Sequence, residues 1–293
     1  MKEIVVISGK GGTGKTSLSA SFAFLSGSEA IIADCDVDAA DMHLLMSPDF
    51  AHNEDFYSGQ MASIDNEVCT SCGLCLEKCR FDAIETDGER YQVKELDCEG
   101  CGYCERICPV GAISMKEQKA GQFYISGTRM KNTLVHARLR AGAENSGKLV
   151  AKVKKEAKRL AEQENKKYVI ADGSPGIGCP VISSLSGADY VVIVTEPTVS
   201  GLHDLKRVYE LVKKFDIKTS CIINKHDLNP EITNRIMDFI DSESVVHLCN
   251  IPYSNTFTDA ITRGITVLEN GDTEMIKVIK NAWETIKKSI NDK

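Results

Sequence analysis

Short apolar runs that end in glycine or in acidic residues recur along the chain. They alternate with segments in which apolar residues are spaced as in a helix. The first run, residues 3–8, is β-branched and leads into a glycine loop, after which Leu18, Phe22 and Leu25 follow at helical intervals. Similar runs, each followed by a loop, cover 29–36, 167–176, 189–197, 218–227 and 244–253. This alternation predicts an α/β fold with a mostly parallel sheet covered by helices on both faces. The loops after the strands are expected to meet at one edge of the sheet, where such folds bind ligands.

The middle of the chain interrupts this alternation. Residues 69–84 realign on 98–113 at an offset of 29, and four cysteines and an Ala-Ile pair match. The charge also changes, because 60–117 holds twelve acidic against six basic side chains, whereas 121–166 holds eleven basic against four acidic. The predicted domains are a larger one formed by 1–59 and 118–293, and a small α+β domain inserted at 60–117.

Composition narrows the classes of function. The net charge of −7 over 293 residues disfavours sequence-independent binding of nucleic acid. No apolar run approaches 18 residues and the first residues do not resemble a signal peptide, so we expect a cytoplasmic protein without a membrane span. Of the twelve cysteines, eight fall between residues 69 and 108, which indicates metal or redox chemistry rather than disulfides.

The loop after the first strand, GKGGTGKT at 9–16, fits the phosphate-binding pattern G-x-x-x-x-G-K-S/T between a strand and a helix. Glycines let backbone N–H groups approach the phosphates, and the helix N-terminus adds positive charge. Lys15 is expected to reach the β- and γ-phosphates, and the Thr16 hydroxyl to ligate Mg²⁺. The predicted nucleotide-binding residues of this loop are Gly11, Gly12, Thr13, Gly14, Lys15, Thr16 and Ser17.

Two cysteine runs lie in the repeat. Each has the spacing C-x2-C-x2-C-x3-C, the bacterial ferredoxin pattern for two 4Fe–4S clusters, whereas zinc sites use pairs of ligands. In ferredoxins the fourth cysteine of each run binds the other cluster. The resemblance therefore implies one ligand set of Cys69, Cys72, Cys75 and Cys108 and a second of Cys98, Cys101, Cys104 and Cys79. Arg80 stands where the pattern usually has proline, and it either raises the potential of a nearby cluster or faces solvent.

The glycine loop carries a second lysine, Lys10. The form G-K-G-G-T-G-K-T resembles the deviant Walker A motif of the MinD, Mrp and ParA class of P-loop ATPases, which includes the nitrogenase iron protein. The resemblance implies a homodimer that forms on nucleotide binding, with Lys10 reaching the partner's nucleotide. It also implies that Asp36 and Asp38 belong to switch I, where a carboxylate orients the attacking water, and that Asp172 is the Walker B aspartate near Mg²⁺. From the residues alone, Asp36 and Asp38 also fit turn or helix-capping positions.

Base recognition is left open by the sequence. Asn224, Lys225 and Asp227 look like the N-K-x-D element that reads guanine in GTPases. The MinD class mostly binds ATP, with an asparagine here and backbone near Pro252, so the resemblance favours ATP over GTP. Cys179 lies near the position from which the nitrogenase iron protein ligates an intersubunit cluster, but the second cysteine that such a cluster needs has no match here.

These features predict an ATP-hydrolysing iron–sulfur protein in which nucleotide-dependent rearrangement of a homodimer gates electron transfer to or from a redox partner protein. The insertion follows switch I, which is expected to move with the γ-phosphate. One alternative is an iron–sulfur cluster carrier, although the C-x-x-C that the Mrp relatives use near the C-terminal part of the ATPase domain is absent. The other is a positioning ATPase like MinD with redox-sensing clusters, anchored by the amphipathic segment 275–293. The apolar stripe of that segment is expected to pack in the core: Ile276, Ile279, Trp283 and Ile286.

Overall fold

The computed structural model describes residues 1–143, 145–270 and 273–291. The chain divides into two compact units. Unit 1 comprises Met1–Glu54, Phe123–Arg138 and Ser146–Lys293, and unit 2 comprises Asp55–Gln122 and Leu139–Asn145. None of the helices in the described residues has the length and apolar composition of a membrane span.

Strands and helices alternate along most of the chain. The first part contains β1 (Lys2–Ser8), α1 (Lys15–Ser26), β2 (Ala30–Asp34), α2 (Met42–Met46), β3 (His52–Ile64), α3 (Leu74–Lys78), β4 (Ile84–Thr86), β5 (Tyr91–Val93), α4 (Tyr103–Ile107), β6 (Ile113–Gly127) and β7 (Thr133–Leu139). The second part contains α5 (Ser146–Gln163), β8 (Tyr168–Pro175), α6 (Cys179–Leu185), β9 (Tyr190–Thr195), α7 (Val199–Lys213), β10 (Lys218–Asn224), α8 (Pro230–Ser242), β11 (Val246–Ile251), α9 (Thr256–Thr262) and α10 (Thr273–Asn291).

The sheet of unit 1 has the strand order β11-β10-β9-β1-β8-β2-β7. Central β1 pairs in parallel with β8 and β9, so that Ile4 lies opposite both Ile170 and Tyr190. The central strands are almost wholly buried because helices cover both faces, as their continuous apolar sequences require. The parallel α/β fold predicted from the strand–helix alternation is confirmed.

The sequence analysis missed five strands, namely β3, β4, β5, β6 and β7. The predicted domain limits at 59/60 and 117/118 fall inside β3 and β6. Both strands are rich in polar and exposed positions, so they lack the continuous apolar run that marked the buried strands.

The core of unit 1 joins α1 and α10. Phe22 of α1 stacks on Trp283 of α10 with ring centroids 5.6 Å apart, and Tyr168 meets the same indole edge-on. Ile279 and Ile286 are also buried, and Ile276 packs against the same cluster. The apolar stripe of the C-terminal segment is therefore part of the core up to Asn291, and the last two residues lie outside the described part.

The backbone of unit 2 repeats at the same offset as the two cysteine runs. Helices α3 and α4 are offset by 29 residues, as the cysteines are. Three pairs at this offset share a left-handed φ: Ser71 (55°) with Gly100 (63°), Gly73 (78°) with Gly102 (69°), and Asp82 (51°) with Gly111 (66°). A β-carbon on Gly100 would lie 2.2 Å from the carbonyl oxygen of Gln60, so only glycine fits there.

A bidentate ion pair ties together three segments of unit 1. The Arg129 guanidinium donates to both carboxylate oxygens of Glu269 at 2.7 and 2.8 Å, and its Nε donates to the carbonyl of Leu45. Glu269 also accepts from the N–H and hydroxyl of Thr266. The hydrogen bond from Arg129 is the main cause that lowers the pKa of Glu269 to about 2, against an opposing effect of burial.

Replacing Glu269 by glutamine should lower the free energy of unfolding by about 1–2 kcal/mol at neutral pH. Because the folded state depresses the pKa, this contribution is complete above pH ~4.5, the ordinary glutamate value, and is lost as the pH falls toward 2. Urea unfolding followed by Trp283 fluorescence measures it. Glu29→Gln, which breaks the exposed pair with Lys167, should leave the midpoint unchanged. Equal losses in the two variants would contradict the prediction.

Candidate functional site

The loop between β1 and α1 borders a cavity of about 330 Å³ at the carboxyl edge of the sheet. Gly14, in a left-handed conformation with φ 91°, precedes the first residue of α1 and aims the helix N-terminus at this cavity. Asp36, Asp41 and Leu44, from the segment after β2, also line the cavity. All the predicted loop residues line it as well: Gly11, Gly12, Thr13, Gly14, Lys15, Thr16 and Ser17.

Lys15 is only 5% exposed and lies between two carboxylates. Its Nζ is 2.9 Å from Asp172 and 3.5 Å from Asp36. Burial opposes the charge of Lys15, but the two carboxylates outweigh burial and raise its pKa above the ordinary value. Asp172 also accepts hydrogen bonds from Thr16 at 2.8 Å and from Ser19 at 2.7 Å.

Asp34 adds a third carboxylate that the sequence analysis did not select. It ends β2 opposite Asp172 on β8, and burial together with Asp172 raises its pKa well above the ordinary value. Among the described residues its Oδ2 has no hydrogen-bond partner. Three carboxylates thus face the one ammonium group of Lys15. In the sequence Asp34 directly precedes the Cys35-Asp36 pair, which could have marked it as a candidate. Only its burial in the structure shows that it belongs to the site.

These residues fit a magnesium ion. The Thr16 hydroxyl and the Asp172 carboxylate are oxygen donors of the kind Mg²⁺ prefers, and they already lie within hydrogen-bond distance of each other. The buried excess of carboxylates favours an additional cation. Asp36 is 8% exposed and faces this place, whereas Asp38 is exposed and does not line the cavity.

Lys10 points to the loop after β9. Its Nζ lies 2.7 Å from the Glu196 carboxylate and donates to the hydroxyls of Thr198 and Ser200 at 3.0 and 3.1 Å. Lys225 pairs with the other carboxylate oxygen of Glu196 at 2.8 Å. Partial burial opposes ionisation of Glu196, but hydrogen bonds from Lys10 and Lys225 hold its pKa below the ordinary value. Sequence analysis missed Glu196, since one acidic residue after a strand carries no motif.

The predicted base-recognition residues bind other parts of the protein. Buried Asn224 donates to the carbonyl of Thr13 at 2.8 Å, and Lys225 donates to the carbonyl of Gly12 at 3.0 Å. Asp227 accepts the backbone N–H of Tyr253 at 2.6 Å, while Pro252, the preceding residue, is exposed. Asn224 and Lys225 therefore support the phosphate loop, and the loop after β10 is fastened to the loop after β11.

The eight clustered cysteines line two cavities of unit 2. One cavity is lined by Cys69, Cys72, Cys75 and Cys108. The other, of about 420 Å³, is lined by Cys98, Cys101, Cys104 and Cys79, and Cys75 lines it as well. The structure thus brings the fourth cysteine of each run next to the first three of the other run.

The cysteines fit iron–sulfur clusters by their chemistry. All eight are free thiols, and soft sulfur donors in fours are the ligands that 4Fe–4S clusters require. Backbone N–H groups also point at the ligands, and that of Ala112 donates to the Cys108 sulfur at 3.3 Å. The remaining cysteines differ. Cys35 and Cys221 are buried, Cys249 is partly buried, and Cys179 is exposed at the start of α6.

Replacing Thr16 by valine removes the hydroxyl but keeps the side-chain shape. We expect the factor by which Mg²⁺ increases the affinity for ADP to fall about tenfold, while the affinity measured in EDTA stays the same. Calorimetric titration with and without Mg²⁺ measures both. Ser21→Ala, which removes a hydroxyl bonded to the Ser17 carbonyl of the same helix, serves as the control. Unchanged Mg²⁺ dependence in Thr16→Val would exclude this hydroxyl as a ligand.

Comparison with known proteins identifies the smaller unit first. Residues 62–115 match the family model of the 4Fe-4S dicluster domain. The uncharacterized ferredoxin MJ0199 of Methanocaldococcus jannaschii is 32% identical over 59 residues, which are 19% of this chain and 95% of that protein. Unit 2 therefore contains a 4Fe–4S dicluster domain.

The fold and the whole chain also have relatives. The septum site-determining protein MinD of Pyrococcus horikoshii OT3, solved with Mg-ADP, superposes with a TM-score of 0.58 at 17% identity, covering 99% of this chain and 97% of that chain. This similarity shows the fold. The uncharacterized protein MJ0578 of Methanocaldococcus jannaschii is 34% identical over 229 residues, covering 78% of this chain and 79% of that protein. The chain therefore belongs to the family of MJ0578, and it joins a MinD/ParA-type P-loop ATPase fold to a 4Fe–4S dicluster domain.

Proposed function

We propose that this protein hydrolyses ATP as a homodimer and thereby gates electron transfer between two 4Fe–4S clusters and a redox partner protein. One observation carries the proposal. The segment that presents Asp36 to Lys15 continues through α2 into β3, along which the chain enters unit 2. A rearrangement at Asp36 on binding or loss of the γ-phosphate therefore acts directly on the start of the cluster domain.

At the nucleotide, the loop N–H groups and Lys15 hold the phosphates. When bound, Mg²⁺ supplies Lewis-acid stabilisation of the transferring phosphoryl group. Thr16 and Asp172 hold this ion, and Ser19 fixes the orientation of the Asp172 carboxylate. Asp36 is the carboxylate that orients the attacking water, because it faces the cavity and lies beside Lys15.

We favour ATP as the nucleotide. A guanine edge offers two N–H donors, so reading it requires a free carboxylate. One oxygen of Asp227 already accepts the Tyr253 N–H, and Asn224 is engaged with the phosphate loop. The residues that resemble a guanine-reading element therefore serve to hold two loops in place.

The cluster ligands are proposed as two crossed sets. Cys69, Cys72, Cys75 and Cys108 hold one cluster, and Cys98, Cys101, Cys104 and Cys79 hold the second. What supports this assignment is that the four members of each set line one cavity together, although Cys75 also lines the second cavity. When bound, each cluster supplies one-electron redox chemistry, and the cysteines fix its place and its access to solvent.

The dimer rests on Lys10. In the single chain this lysine pairs with Glu196, and its side chain is 29% exposed. On dimerisation it would leave Glu196 for the phosphates of the partner's nucleotide. The loss costs little, because Lys225 keeps the Glu196 carboxylate paired at 2.8 Å.

Lys10→Ala should retain nucleotide binding but lose ATP-dependent dimerisation. The rate of hydrolysis should fall by roughly 10³-fold, as for other cations supplied across an interface. Phosphate release and light scattering with ATP measure these effects. Lys214→Ala, an exposed lysine at the end of α7, is the matched control and should behave like the unmodified protein. Hydrolysis that survives in Lys10→Ala would refute the role of the dimer.

Gating predicts that nucleotide changes the clusters. We expect the cluster reduction potentials, or the rate of electron exchange with a low-potential one-electron mediator, to differ between the ATP-analogue-bound and nucleotide-free protein. Potentiometry and stopped-flow absorption under anoxic conditions measure both. Lys10→Ala should bind the analogue without this change. Identical potentials and rates in the two states of the unmodified protein would disprove gating.

A further inference from the structure

The two cluster cavities are related by the repeat but differ in charge. Among the described residues that line the Cys79 cavity, three are charged: Lys78, Arg80 and Glu99. Among those that line the Cys108 cavity, none is charged. At the offset of 29, the equivalent residue of the other half is uncharged in each case: Ile107 for Lys78, Pro109 for Arg80, and Thr70 for Glu99.

The three charges do not count equally. Lys78 pairs with its neighbour Glu77 at 2.7 Å, which weakens its effect, although Glu77 itself does not line the cavity. Arg80 is exposed, and no carboxylate among the described residues lies within ion-pair distance of its guanidinium. Glu99 is exposed and likewise lacks an ion-pair partner in the described part of the chain. Arg80 and Glu99 are therefore free to act on whatever occupies the cavity.

We propose that Arg80 and Glu99 set the reduction potential of the cluster held by Cys79, Cys98, Cys101 and Cys104, and that this cluster is the higher-potential one of the two. The inference rests on the proposed function, in that unit 2 holds two 4Fe–4S clusters. Reduction adds one negative charge to a cluster, so a nearby cation stabilises the reduced form and a nearby carboxylate destabilises it. Two cations, Arg80 and Lys78, and one carboxylate, Glu99, line this cavity and leave it net positive, while the other lining is uncharged.

One feature of the other cavity acts against this order. The Ala112 N–H donates to the Cys108 sulfur at 3.3 Å, and such donors also raise a cluster's potential. An amide carries only a fraction of an elementary charge, whereas the guanidinium carries a whole one that it never loses at working pH.

The test uses the full chain, loaded with iron and sulfide under anoxic conditions, without nucleotide, and followed by EPR during redox potentiometry. The unmodified protein should show two reduction steps. Arg80→Gln should lower the upper step, so that at the original midpoint the reduced-to-oxidised ratio falls three- to tenfold, about 28 to 59 mV for one electron. Glu99→Gln should raise that same step. The lower step should stay in place in both variants.

Matched variants separate charge from structure. Arg80→Lys keeps the cation and should keep the upper step within a factor of two. Arg90→Gln removes a cation of the same unit that lines neither cavity, and it should move neither step. Pro109→Arg places a cation at the position equivalent to Arg80, so it should raise the lower step. Iron content and visible absorption confirm that each variant still carries both clusters.

Several outcomes overturn the proposal. Arg80→Gln that moves the lower step, moves both steps equally or moves neither refutes the assignment. So does Glu99→Gln that shifts the upper step downward. A protein that binds no clusters would overturn the proposed function as well. Two clusters whose potentials ignore Arg80 would overturn only this inference, and the effect of nucleotide on the clusters is measured separately.

Discussion

A buried excess of negative charge at the edge of the sheet governs the nucleotide end of this molecule. Lys15 faces the carboxylates of Asp172, Asp36 and Asp34. Removing a carboxylate from water costs several kcal/mol unless it is paired. The sheet forces this meeting, because Asp34 and Asp172 lie opposite each other in the register of two parallel strands. Lys15 supplies part of the positive charge that compensates these carboxylates.

A second charged interaction connects the loops around that place. Glu196 joins Lys10 of the phosphate loop to Lys225 of the loop after β10, and Lys225 also reaches the Gly12 carbonyl. These loops follow neighbouring strands, so their positions are tied to one another through one carboxylate. Because Glu196 has two lysine partners, either can leave without stranding an unpaired charge. Lys10 can therefore leave Glu196 at little cost to stability.

Unit 2 combines backbone symmetry with chemical asymmetry. Equivalent left-handed residues and two short helices at the same offset build a cysteine cavity twice. The fourth cysteine of each half crosses to the other cavity, so neither half is complete alone. Side chains next to the ligands are not bound by this requirement. Arg80 and Glu99 differ from their counterparts without disturbing the backbone, and this freedom lets two similar cavities acquire different electrostatics.

The sequence alone determined those features that depend on the spacing of residues along the chain. Apolar runs established the parallel strands, cysteine spacing established the repeat, and glycine spacing established the loop around Lys15. Strands β3 and β6 escaped because their exposed polar residues give no apolar run. Only tertiary structure decided which of two similar aspartates faces the cavity, since Asp36 is buried beside Lys15 and Asp38 is exposed. It also decided that Glu196 holds Lys10, because long-range electrostatic pairing depends on distances in space that spacing along the chain does not encode.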